Sequence, residues 1–135
     1  MKRVLFLCTG NSARSQMAQV LLQELGNDKY EGFSAGTHIQ SEVNPFAVEV
    51  LKERGLDTEG LHPKKLTIFK GQTFDYVITV CDNARQECPF FPGAKEMIHW
   101  SLEDPASFQG RYDEILTVFR ETRDEIERKI REVLL

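Results

Sequence analysis

Val4-Leu5-Phe6-Leu7 is a continuous apolar run, and Asp75-Tyr76-Val77-Ile78-Thr79-Val80 is a second. Both have the pattern of strands covered on two faces. Between them the period changes. Met17, Ala18, Leu21, Leu22 and Leu25 share one face of a helix expected from about Ser12 to Leu25, closed by Gly26-Asn27. Tyr30 to Thr37 reads as a short strand ending in a turn. Asn44-Pro45 opens another helix, with asparagine as N-cap and proline at its first position. Its stripe is Phe46, Ala47, Val50 and Leu51, and Gly55 closes it. From Thr58 to Phe74, Pro63 and Gly71 break any long element and leave a short helix near Leu66 to Phe69. Met97 to Trp100 predicts a fourth strand. Tyr112 to Val133 predicts a long helix that turns Tyr112, Ile115, Leu116, Phe119, Ile126 and Ile130 inward. Its Asp124–Arg128 and Glu127–Arg131 pairs mark a wet face and contribute only about 0.2–0.5 kcal/mol each.

Strands alternating with helices predict an α/β fold with a parallel sheet. Ligands bind such sheets beyond the carboxyl ends of the strands. Cys8 and Cys81 each follow directly on an apolar strand, so both are expected on that one edge.

Composition narrows the partners more than the fold. The 135 residues suit one domain, 1–135, with one core. A net charge of −4 gives no electrostatic reason to expect nucleic acid or an anionic membrane surface. No apolar run approaches a membrane span, and Lys2-Arg3 before VLFLC is too short for a signal start. Three cysteines point away from a secreted disulfide framework and toward thiol chemistry in the cytoplasm.

The chemistry is concentrated in Cys8-Thr9-Gly10-Asn11-Ser12-Ala13-Arg14-Ser15. Gly10 and Asn11 tolerate positive φ, so this loop can curl until its N–H groups converge. The helix that follows adds free N–H donors and the positive end of its dipole. Such a field favours a tetrahedral anion, and it favours thiolate over thiol at the loop's start. Arg14 presents a planar fork to two oxygens of one oxyanion, and Ser15 can donate to the sulfur. A lone cysteine reads as a small buried hydrophobe. With glycine, asparagine and arginine at these offsets, Cys8 reads as a nucleophile.

Cys81 and Cys88 stand seven residues apart. That is not a zinc spacing, and no second pair completes a tetrahedral site. They are either unrelated thiols or redox partners. As a helix the seven residues would span about 10.5 Å, beyond the roughly 7 Å that a disulfide permits between Cα atoms. A bond between them therefore requires the stretch from Asp82 to Pro92 to be mobile.

The loop CTGNSARS resembles the phosphate loop of the low-molecular-weight protein tyrosine phosphatase superfamily. CTGNSARSQMA, with Cys81, Cys88 and HWSLEDPA, resembles the thioredoxin-coupled arsenate reductases built on that fold, essentially end to end. The resemblance implies a three-layer domain with a four-stranded parallel sheet in the order 2-1-3-4, flanked by helices. It implies arsenate as substrate, with phosphate or sulfate as mimics, held by Arg14 and the loop N–H groups from Thr9, Gly10, Asn11, Ser12 and Ala13. Cys8 would attack arsenic and Asp104, otherwise a turn residue before proline, would serve as general acid. Disulfides Cys8–Cys81 and then Cys81–Cys88 would follow, re-reduced by thioredoxin, with a glutaredoxin route left open. No metal or organic cofactor is implied. Asn11 and Ser34 match two ligands of a potassium ion found in some relatives. Gln19 replaces a glutamate there and Lys64 falls near an aspartate, so no potassium dependence is expected.

Two other readings share parts of this set. A phosphatase for phosphotyrosine or small phosphomonoesters would use Cys8, Arg14 and Asp104 unchanged, although relatives of that kind typically carry aromatics after Asp-Pro, where Ala106-Ser107 stand. A non-catalytic anion-binding or redox-sensing module would bind phosphate and form disulfides without turnover. His38, His62 and His99 have no role in any of the three.

Overall fold

The computed structural model describes residues 1–80 and 90–135. Four strands, β1 (Lys2–Cys8), β2 (Tyr30–Gly36), β3 (Phe74–Thr79) and β4 (Ala94–His99), form one parallel sheet in the order β2-β1-β3-β4. Three helices, α1 (Arg14–Leu25), α2 (Pro45–Glu53) and α3 (Tyr112–Val133), follow β1, β2 and β4, with a 3-10 turn at Leu66–Phe69. The order matches the arrangement that the resemblance implies.

The central strand explains the layering. Val4, Leu5, Phe6 and Leu7 have no exposed surface, and a strand sends successive side chains to opposite faces. Val4, Phe6 and Cys8 pack in one cluster with residues of α1, α2 and α3. Leu5 and Leu7 pack on the other face with Phe69, Phe74 and Phe91. The 3-10 turn and the segment around Phe91 therefore cover the face that the three helices do not.

Element ends differ from expectation where polar residues carry them. α1 starts at Arg14 rather than Ser12, because Ser12 and Ala13 belong to the loop. β4 starts at Ala94, three residues early, since it is an edge strand whose Lys95 and Glu96 face solvent and give no apolar signal. Tyr112 is exposed rather than inward: its ring packs on Phe46 and its hydroxyl donates to Glu49.

The acidic and basic run of α3 is more than a wet face. Glu127–Arg131 forms as expected, but Arg128 pairs with Glu125 and Glu132 instead of Asp124. Arg123 is buried, donating to Val50 O at 2.9 Å and to Glu53 at 3.2 Å, and so ties α3 to α2. Among the described residues no helix is long and apolar enough to cross a membrane.

Candidate active site

β1 ends on Cys8, in register with Gly36 at the end of β2. The next residues turn back over the strand end, and backbone partners fix how. The carbonyls of Thr9, Gly10 and Ser12 accept from the N–H groups of His38 (2.9 Å), Gln40 (3.0 Å) and Asn44 (2.9 Å). The peptide bonds of the described residues are trans, so each N–H of the loop points away from the carbonyl preceding it. With the carbonyls drawn outward by the β2–α2 connection, the N–H groups of Gly10, Asn11 and Ala13 turn inward. Asn11, at φ 50°, makes the bend that only glycine and asparagine adopt readily. Among the described residues no side chain caps the first turn of α1, which leaves its donors for an anion.

The inward field has Cys8 at its floor. The sulfur is 3.0 Å from the Asn11 N–H and 2.8 Å from Ser15 Oγ. Asn11 Nδ2 in turn donates to Ser15 Oγ at 2.7 Å. Arg14 is buried, with Nη1 donating to Leu102 O at 2.8 Å and Nη2 3.9 Å from Asp104. The other oxygen of Asp104 accepts from Ala106 N at 3.0 Å and so caps the short 3-10 turn Pro105–Ser107. Cys8, the loop from Thr9 to Ala13, Arg14, Asp104 and Ala106 line a polar cleft of about 520 Å³, whose far wall is Gln40, Ser41 and Glu42. Ser12 Oγ donates to Glu42 O and holds that wall to the loop.

Cys8, the loop residues, Arg14, Ser15 and Asp104 thus come together. Cys81 and Cys88, with most of the stretch expected to be mobile, lie outside the described residues. His38, His62 and His99 bond locally, to Thr37, to Gly60 O and to Thr79 respectively.

Ser34 Oγ donates to Gln19 Oε1 at 2.5 Å, and the half-buried Lys64 ammonium donates to His62 O at 2.9 Å. Burial holds the Lys64 amine below the usual lysine range, while negative charge on Cys8 acts the other way. Among the described residues no group of three or more His, Cys, Asp or Glu side chains gathers to hold a metal.

Sequence patterns missed three contributors. Gln16 reads as an ordinary helical glutamine yet is fully buried beside the loop. The Leu102 carbonyl and the 40–42 wall act through backbone position, which no residue type announces.

The family model for low molecular weight phosphotyrosine protein phosphatase matches residues 3–134. The arsenate reductase of Halalkalibacterium halodurans is 40% identical over 130 residues, covering 96% of this chain and 93% of that relative. A solved structure of an arsenate reductase in the phosphate binding state superposes with a TM-score of 0.83 at 31% identity, covering 98% of this chain and 96% of that one. A thioredoxin-dependent arsenate reductase of Corynebacterium glutamicum does so with a TM-score of 0.68 at 32% identity, over 98% of this chain and 63% of its own. With a thiol at the floor of an anion cleft and a family match along nearly its whole length, the chain belongs to the low molecular weight phosphotyrosine protein phosphatase family.

Proposed function

We propose that this protein is an arsenate reductase that works through three thiols and is re-reduced by thioredoxin. The observation that carries the reading is the Cys8 sulfur at the floor of a cleft shaped for a tetrahedral oxyanion, with Arg14 and Asp104 at its sides. The relatives named for this activity support the choice of oxyanion.

Arsenate binds through the inward N–H groups and Arg14. The Cys8 thiolate forms a bond to arsenic, and one oxygen leaves as water with a proton from Asp104. Cys81 then attacks the Cys8 sulfur. The S–S bond forms, the S–As bond breaks with its electron pair going to arsenic, and arsenic(V) becomes arsenic(III). Cys88 attacks Cys81, freeing Cys8 as thiolate and leaving Cys81–Cys88. A thioredoxin dithiol takes over that disulfide and is itself oxidised. The cytoplasm, where thiols are kept reduced, is the compartment that suits this cycle.

The phosphatase reading uses the same Cys8, Arg14 and Asp104, and the family description favours keeping it in view. Among the described residues the lining of the cleft contains no aromatic ring to pack on a phosphotyrosine, which supports the reductase. The two separate on Cys81→Ser and Cys88→Ser. Arsenate-dependent oxidation of thioredoxin is expected to fall to background in both variants while hydrolysis of an aryl phosphate persists. Unchanged arsenate turnover in either variant would exclude the three-thiol cycle.

A further inference from the structure

Gln16 is a fully buried polar side chain on the first turn of α1 that the chemistry above does not use. Its Nε2 lies 3.0 Å from Asn11 O, 3.0 Å from Asn11 Oδ1 and 2.9 Å from His62 O. Its Oε1 is the one buried side-chain oxygen or nitrogen with no partner among the described residues. Turned end for end, the amide would set an oxygen against three oxygens, so the nitrogen end decides its orientation. An unpaired buried acceptor is costly. The site tolerates that cost, and what it keeps in return is a grip on Asn11.

That grip has a direction. Asn11 Oδ1 accepts from Gln16 Nε2 and from the backbone N–H of Lys64 at 2.8 Å. With its oxygen end so held, Asn11 can only present Nδ2 to Ser15 Oγ. The Ser15 oxygen is then an acceptor toward Asn11, and its single hydrogen is directed at Cys8 Sγ.

We propose that Gln16 is a positioning residue for the nucleophile: by holding the oxygen end of the Asn11 amide, it orients the chain Gln16→Asn11→Ser15→Cys8 so that its last hydrogen bond ends on the sulfur. Without Gln16 the oxygen end of the Asn11 amide is held by the Lys64 N–H alone, and the amide turns more readily. Ser15 would then donate to Asn11 Oδ1, and the thiolate would keep only the Asn11 N–H. This rests on the reading of Cys8 as nucleophile given above, but it needs no arsenic chemistry.

The test follows alkylation of Cys8 by iodoacetamide against pH in the full chain. Peptide mass spectrometry counts Cys8 separately from Cys81 and Cys88. Gln16→Leu, Ser15→Ala and the double variant leave the charged groups around the cleft, Arg14, Lys64 and Asp104, in place. Each single variant is expected to move the midpoint of the profile up by about one unit, with the rate below that midpoint falling about tenfold. The double variant is expected to move no further than Ser15→Ala alone. A wild-type midpoint in Gln16→Leu, or shifts that add in full, would overturn the proposal. If circular dichroism shows Gln16→Leu unfolded, Gln16→Met, which keeps the length of the side chain, carries the same expectation. Loss of fold in both would assign Gln16 to structure alone and overturn it too. A protein that shows the coupled shift but no arsenate turnover would count against the reductase reading and leave the role of Gln16 standing.

Discussion

At the scale of single residues, the groups that carry chemistry are those whose type already restricts what they can do. Cys8, Arg14 and Asp104 each bring a reactive or charged atom to the cleft. On the proposed reading, Asp104→Asn removes the proton donor while keeping the cap on Ala106 N. It is expected to lower kcat for arsenate by about 10²-fold or more with KM nearly unchanged. Steady-state kinetics read that split, and an equal rise in KM would point to binding instead. Lys64 and Gln19 lead to a second expectation. Ser34 Oγ is taken by Gln19, and the Lys64 ammonium donates to the His62 carbonyl. Rates in sodium and potassium buffers are therefore expected to be equal, and strong potassium stimulation would contradict the assignment. What the sequence hid at this scale is orientation. Gln16 and the Leu102 carbonyl matter through the direction of their hydrogen bonds, and residue type carries no such information.

At the scale of elements, apolar runs and helical stripes located the buried strands and all three helices, because burial on one or two faces writes a period into the sequence. The wet edge strand β4 wrote none at its start. The loop also depends on close approach. A Cβ on Gly36 would lie 2.5 Å from Thr9 O and 3.0 Å from Asn11 N, both backbone atoms. Gly36→Ala is expected to cost about 1–3 kcal/mol in urea denaturation and to weaken phosphate binding, since β2 and the loop must part. The part of Arg123 in the α2–α3 seam was not legible, since a charge run does not reveal that one of its arginines is buried. Arg123→Met is expected to lose about 2 kcal/mol in the same assay, because Val50 O and Glu53 lose a charged donor.

The same seam has a pH signature. Hydrogen bonding from Arg120, and then Arg123, holds the Glu53 carboxyl below its ordinary value of 4.5. Arg54 does the same for Glu127. A carboxyl lowered in the fold contributes stability above its ordinary value and loses it as pH falls through the lowered one. The gap in thermal midpoint between the wild type and Glu53→Gln is therefore expected near pH 7 and to close as pH drops below 4.5. A gap that persists under acid would refute the ion-pair origin.

At the scale of the whole molecule, strand–helix alternation was enough to place the ends of β1 and β3 on one edge of a parallel sheet. The strand order came from family resemblance, since local pattern does not say which strands are neighbours. The cleft at the end of β1 suits a phosphatase and a reductase equally in its thiol, its arginine and its acid. The choice between them rests on two further thiols, Cys81 and Cys88, and on electrons moving between three sulfurs. The measurement that bears on this most directly is a single turnover of the fully reduced protein with arsenate in the absence of thioredoxin, quenched in acid and mapped for disulfides. One arsenite per chain, with a bond between Cys81 and Cys88 and a free thiol at Cys8, is the expected result. Arsenite formed with no Cys81–Cys88 bond, or no arsenite at all, would contradict it.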